Sequence, residues 1–306
     1  MNEFHHHGIS KLDHWGLIRA HGEDAVKFLH GQLTHDLVLL PTGQARMAAY
    51  CSPKGRMLAS FIAIKRAEDD VWLLVARDLL ATTLKRLQMF VMRSKVRLTD
   101  ESANYTVYGR LGNACQSSPE AQATAPWQAW ATSDGGHIVC LYPSQGLARQ
   151  VHVAPSLLDG ADMEVAVWEC SEVLSGVAWV QASTIELFVP QMLNYESIGG
   201  VSFKKGCYPG QEVVARSQFR GTLKRRTYLA RSAVPLQPGQ EVLLRDDPQQ
   251  SAGTVAAAAP DVERAGHWVA LLCLQTQWEG QALATAEYPD AQIELLALPY
   301  SLLADV

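Results

Sequence analysis

The sequence predicts an α+β protein in two parts, a mixed body over residues 1–223 and a small antiparallel β-barrel over residues 224–306. Three observations carry this expectation. The first part orders its elements as strand, helix, three strands, helix and further strands, which is not the repeating βαβ of a parallel sheet. Beyond residue 224 the texture changes to short apolar runs separated by Pro and Gly turns, the pattern of a small antiparallel barrel. No glycine-rich dinucleotide fingerprint and no phosphate-binding loop interrupts either part. A length of 306 residues gives room for about two domains of ~150 residues each.

The elements follow in order. Residues 15–20 alternate apolar and polar side chains and read as a strand. Gly22-Glu23-Asp24 opens a helix with acids at its positive end, and Ala25, Phe28, Leu29 and Leu33 share one face of it. Strands over 46–51 and 57–64 flank Ser52-Pro53-Lys54-Gly55, a hairpin turn by composition. The run 71–76 is a buried strand, and a helix from Asp78 to about Met92 carries the stripe Leu80, Leu84, Leu87 and Val91. Strands near 95–98 and 104–109 precede a loop region over 112–136 that is rich in small residues. Strands near 137–142 and 148–153 come next. A helix over 165–177 then places Val167, Cys170, Leu174 and Val177 on one face, with Trp168 beside them. Apolar runs at 227–230, 240–245, 253–259, 267–274 and 292–297 supply the barrel strands.

Composition narrows the function classes. Hydrophobic residues at 48% and charged residues at 19% describe a globular chain, not a disordered one. A net charge of -5 argues against a broad nucleic-acid binder. The local basic run Arg216, Arg220, Lys224, Arg225 and Arg226 reads as a solvated face or a linker. Six cysteines (51, 115, 140, 170, 207 and 273) lie scattered with no C-x-x-C pair, which points to a reducing cytoplasm and away from a zinc ribbon. No apolar stretch reaches the ~20 residues of a membrane span, and the N-terminal segment lacks the apolar core of a signal peptide. His5, His6 and His7 read as a tail and not as a metal site, since no further ligand accompanies them.

The densest special segment runs from Gly199 to Glu212. Four glycines and a proline let its backbone turn sharply and approach a ligand closely. Cys207 sits in it after Lys204 and Lys205, and a helix start near Gln211 lies just downstream. Ammonium charge and a helix N-terminus both favour thiolate, so Cys207 is a candidate functional thiol; a packed structural turn is the alternative. Lys205-Gly206-Cys207-Tyr208-Pro209-Gly210-Gln211-Glu212 resembles the signature of the YgfZ family, folate-binding proteins related to the T-protein (aminomethyltransferase) of the glycine cleavage system. The flanks agree: Phe188 to Gln191 with Asn194, Val214 to Arg216, and Phe219-Arg220-Gly221. So do Gly31 to Asp36, Lys54-Gly55-Arg56 and the ending Leu298 to Leu302. The resemblance covers nearly the whole chain.

That resemblance implies an aminomethyltransferase-like, multi-lobed α+β body ending in a β-barrel. It implies binding of tetrahydrofolate or a folate derivative. It also implies a role in the assembly or repair of iron–sulfur enzymes, such as the radical enzymes that modify tRNA. No catalytic reaction is implied. Trp15 and Trp168 match the tryptophans that contact folate in relatives and are expected to face one cavity. Each taken alone reads as core packing. Stacking on an indole is worth about 0.5–1.5 kcal/mol beyond area burial, and the anionic folate tail calls for Lys or Arg at the mouth. One departure stands out: where relatives carry Glu-Ala-Gly-x-Pro, this chain has Leu174-Ser175-Gly176-Val177-Ala178, without the glutamate or the proline. Two further readings stay open. One is a folate-dependent one-carbon transferase, which needs a guiding carboxylate; Asp36 and Asp100 read better as surface charge. The other is a tRNA- or protein-binding module with a vestigial folate site.

Overall fold

In the computed structural model, which describes residues 7–116, 125–219 and 223–303, three antiparallel sheets carry the chain. The elements are β1 (Gly8–Lys11), β2 (Trp15–His21), α1 (Ala25–His30), β3 (Ala45–Cys51), β4 (Met57–Ala67), β5 (Asp70–Ala76), α2 (Arg77–Met89), β6 (Arg97–Asp100) and β7 (Thr106–Leu111). They continue as β8 (Ala129–Ala131), β9 (His137–Ser144), β10 (Leu147–Ala154), α3 (Val165–Leu174), α4 (Gln211–Phe219), β11 (Arg225–Ser232), β12 (Glu241–Leu244), β13 (Ser251–Pro260), β14 (Trp268–Gln275), β15 (Leu283–Ala284) and β16 (Ile293–Leu296). His5, His6, residues 117–124, Arg220 and Gly221 lie outside the described residues, so the readings placed on them have no structural counterpart here.

The central sheet has the order β3-β4-β5-β2-β6. Its strands are continuous apolar runs because both faces are covered: Leu17, Ile18, Phe61, Ile62, Leu73 and Leu74 are all fully buried. Each such side chain gains roughly 1.5–3 kcal/mol from burial. Helix α2 packs its Leu80 and Leu87 onto this sheet. A second sheet has the order β1-β7-β10-β9-β8. Neither the N-terminal strand β1 nor the three-residue β8 was legible in the sequence, since both are too short to show a period.

The third sheet has the order β15-β12-β13-β14-β11-β16. The sequence reading expected a barrel here. The antiparallel strands are present, but β15 and β16 are the two ends of an open sheet, and among the described residues no pairing joins them. The reason lies in the pleat. Leu271 and Cys273 of β14 join the core shared with the body, whereas Ala270, Leu272 and Leu274 build a separate core on the other face. Helix α3 packs against β13 and β14, so one face is covered without closure.

Helix ends shifted inward from the expected positions. α1 stops at His30, and Leu33 is buried beyond it, bridging to Tyr50. α3 stops at Leu174 because Gly176 turns left-handed at φ +75, where a Cβ would strike the Tyr300 ring. The Tyr300 hydroxyl donates to the Gly176 carbonyl at 2.7 Å, fastening the C-terminal Leu298 to Leu302 segment to the end of α3.

Candidate functional site

A cavity of about 620 Å³ opens where α3 meets the start of β2, the start of α2 and the third sheet. Its volume lies within the usual range for a site that encloses a small organic ligand. Asp13 and His14 come from the short stretch ahead of β2, and Trp15 from its first position. Arg77 and Asp78 come from the first turn of α2, Pro238 from the turn between β11 and β12, and Ala257 and Ala258 from β13. From α3 come Glu169, Glu172 and Val173, which the i, i+3, i+4 spacing places on one face. Val177 and Trp179 follow beyond the helix end.

Two indoles stand at the wall, but they are not the pair the sequence singled out. Trp15 and Trp179 meet edge to face, with centroids 4.9 Å apart at 78°. Both line the cavity, and the Trp15 indole N–H has no hydrogen-bond partner. Trp168 is 0% exposed and does not line the cavity. It packs against β7 at Gly109, where a Cβ would run into the ring, and the Arg149 guanidinium covers it at 4.4 Å. Trp168 therefore backs the wall instead of forming it. Trp179 could have been found in the sequence: it directly follows the Leu174 to Ala178 segment that lacks the glutamate and the proline.

Carboxylates line the cavity after all, from α3. Leu174 is packed in the core, but Glu172 lies at the wall. Burial pushes its carboxyl up to about 7; Arg149 draws it back, Glu169 adds to the rise, and the Trp179 and Trp168 side chains oppose it. Arg149 Nη2 stands 3.8 Å from Glu172 Oε1, and Oε1 has no hydrogen-bond partner. Arg149 itself donates from Nε to Ser171 Oγ at 3.0 Å, and burial lowers it to about 10. Burial also raises Glu169 and lowers His14. Arg77 is the cation at the cavity wall.

The Gly199 to Glu212 segment folds elsewhere and contributes nothing to the cavity lining. Lys205 is buried, donating from Nζ to the His30 carbonyl at 2.5 Å and the Leu33 carbonyl at 2.9 Å, and it lies 4.6 Å over the Tyr208 ring. Burial lowers its ammonium to about 8. It thus ties the segment to Gly31-Gln32-Leu33-Thr34, whose Thr34 hydroxyl donates to the Gly200 carbonyl at 2.7 Å. Gly210, at φ +81, presses on the Ser52–Gly55 turn. Gln211 Nε2 reaches back to the carbonyls of Lys205 and Gly206 at 3.5 Å, while Glu212 pairs with Arg216 at 3.1 Å on the exposed side of α4. This framework holds Cys207 at the surface as the one exposed cysteine; Cys51, Cys140, Cys170 and Cys273 are buried and Cys115 is half-buried. His30 Nδ1 lies 3.2 Å from Asp36 Oδ1 under the same loop.

The basic run does not form a continuous face. Arg226 is buried and pairs with Glu196 at 2.8 Å, and Arg216 pairs within its own helix. At the other end of the chain, His7 Nδ1 accepts the Asn113 backbone N–H at 3.1 Å.

These features define a protein of the aminomethyltransferase fold. The glycine cleavage system aminomethyltransferase T of Bartonella henselae superposes with a TM-score of 0.72 over 96% of this chain and 86% of that one, at 16% identity. The chain is similar to proteins of the YgfZ family. It is 29% identical over 311 residues to the tRNA-modifying protein YgfZ of Photobacterium profundum, covering 96% of this chain and 92% of that protein. It is 31% identical over 220 residues to an uncharacterized protein of Haemophilus influenzae, covering 71% of each. No family model matches the chain.

Proposed function

We propose that this protein is a tetrahydrofolate-binding accessory factor in tRNA modification that supports iron–sulfur enzymes in the cytoplasm. One observation carries the folate reading: a cavity of about 620 Å³ combines two edge-to-face indoles, the α3 glutamates and a cation at its wall. Each feature answers a part of the ligand. The pterin is flat and aromatic, which suits Trp15 and Trp179. Its tail is anionic, which suits Arg77. When bound, tetrahydrofolate supplies a carrier for one-carbon units; the residues of this chain bind it, orient it and keep water from its ring. Relatives named tRNA-modifying protein YgfZ support the tRNA role. The surface thiol of Cys207, held apart from the cavity, is the group offered to a client enzyme. Six free cysteines fit a reducing compartment.

Tryptophan fluorescence titrated with 5-formyltetrahydrofolate tests the reading. Saturable quenching is expected, and Trp179→Ala should weaken binding by about 1–3 kcal/mol, the range for a lost aromatic wall. Absence of saturable binding to the folded protein would overturn it.

A further inference from the structure

We propose that the face around Cys207 is an RNA-docking surface, on which unpaired cations gathered from three parts of the chain bind the phosphates of a tRNA and bring it alongside the thiol. The inference goes beyond the folate reading and does not depend on it. It adds direct contact with the RNA to the role in tRNA modification.

Residues 187–193 assemble the face. The Phe188 carbonyl accepts the Met57 N–H at 2.8 Å, Gln191 Nε2 donates to the Val214 carbonyl at 2.6 Å, and the Met192 carbonyl accepts the Thr227 hydroxyl at 2.7 Å. These bonds draw the β3–β4 hairpin turn, α4 and the start of β11 around one hub. The turn brings Lys54 and Arg56, whose Nη1 donates to the Leu187 carbonyl at 2.6 Å. A Cβ on Gly55 would lie 2.8 Å from Val213 Cβ, so the turn lies directly against α4. The start of β11 brings Lys224 and Arg225, and Arg225 stands with Arg56 near the buried Cys273 thiol. Lys204 comes from the signature segment, where its neighbour Phe203 meets Phe219 of α4 edge to face at 5.4 Å.

Lys54, Lys204, Lys224 and Arg225 are exposed and Arg56 is half-buried, and none of the five has a carboxylate partner among the described residues. Of the acids bordering these segments, Glu212 is taken up by Arg216 and Glu279 accepts the Tyr228 hydroxyl at 3.1 Å, which leaves Glu186. In a chain of net charge -5, a patch of one sign is a local departure, and it steers a polyanion to this face. A protein partner is the weaker fit, because protein interfaces are depleted in Lys and three of the five cations are Lys. Phe219, 55% exposed, adds a ring on which an unpaired base can stack. A client enzyme acting on the bound RNA meets Cys207 on the same face.

The test is fluorescence anisotropy of an end-labelled, unmodified tRNA transcript titrated with the full chain. Wild-type affinity is expected to fall by roughly 100- to 1000-fold between about 50 and 200 mM salt, the dependence for about five phosphate contacts. Lys54→Gln, Lys204→Gln and Lys224→Gln combined should weaken binding roughly 100-fold at low salt and lower the salt slope by about 2–3. Arg264→Gln, in the turn between β13 and β14 at the far end of β14 from Arg225, should change neither. Bound tRNA should also slow iodoacetamide labelling of Cys207 in wild type, a reading that needs no variant. Three results overturn the proposal: no salt-dependent binding, equal losses per charge removed in the triple and Arg264→Gln variants, or Cys207 labelled at an unchanged rate with tRNA bound. If tRNA fails to bind while the triple variant, shown folded by thermal melts, does not restore tRNA modification in a deletion strain, the face belongs to an acidic protein and the RNA assignment falls. The folate reading stands in each case, since its titration uses neither RNA nor this face.

Discussion

Cys207 is set apart from the other cysteines by exposure. Burial pushes the thiols of Cys51, Cys115 and Cys273 up to about 12 and that of Cys170 to about 11, so all four stay protonated and slow at neutral pH. Alkylation followed by mass spectrometry should therefore label Cys207 first across pH 7–9. Labelling of a buried cysteine at the same rate would contradict this. In cells, Cys207→Ser should fold normally and fail to restore tRNA modification in a deletion strain. The thiol's place in an eight-residue signature was legible in the sequence. The second role of its neighbour was not: Lys205 is a charge near sulfur, but its ammonium also donates to two carbonyls, and only the fold brings His30 and Leu33 to it.

At the scale of elements, the signature segment and the β3–β4 hairpin turn interlock through their glycines. A Cβ on Gly210 would lie 2.5 Å from the Ser52 carbonyl oxygen and 2.7 Å from Gly55 Cα, so backbone would have to move. Gly43 has nearly the same left-handed φ, +83, with open space around it. Gly43→Ala should cost about 1–2 kcal/mol from conformation alone. Gly210→Ala should cost clearly more, as the cost of displaced packing adds to it. Urea denaturation of both variants isolates the interlock, and equal costs would show that the turn yields freely. The strands of the hairpin and the helices α2 and α3 were visible as runs and stripes, because burial on one or two faces dictates those patterns. The open third sheet was not, since strand pairing at an edge leaves no mark in periodicity. Nor was the part played by α3: its glutamates looked like the polar side of an amphipathic helix, and only packing against three neighbours turns that side into a cavity wall.

For the molecule as a whole, buried histidines set the response to acid. Burial, the largest cause in each case, lowers His35, His137 and His152 to about 4, with Arg46, Arg66 and Arg110 respectively adding to the effect. The unfolded chain takes up these protons near pH 6.5 and the folded one only near 4, so their stabilisation is complete above 6.5 and is lost as pH falls towards 4. Each contributes at most about 3 kcal/mol. Glu172 has the opposite sign: raised in the folded state, its contribution is present below about 4.5 and is lost as pH rises through 7. His14 and His30 are lowered too, while Glu169 and Glu196 are raised with Glu172; the lowered histidines are the more numerous, so the melting temperature should rise from pH 4.5 to 6.5. Glu172→Gln should steepen that rise, and a flat profile for wild type would show that the histidines are hydrated.

The cavity draws its walls from residues near Trp15 and from residues as late as Ala258. A growing chain emerges from the ribosome at about 5–20 residues per second, so on the order of tens of seconds separate the first wall from the last. During synthesis Trp15 waits beside a surface that does not yet exist. A ligand of this cavity cannot template early folding. It can only reward completion, adding its binding energy to the finished molecule and to no fragment that ends before the third sheet.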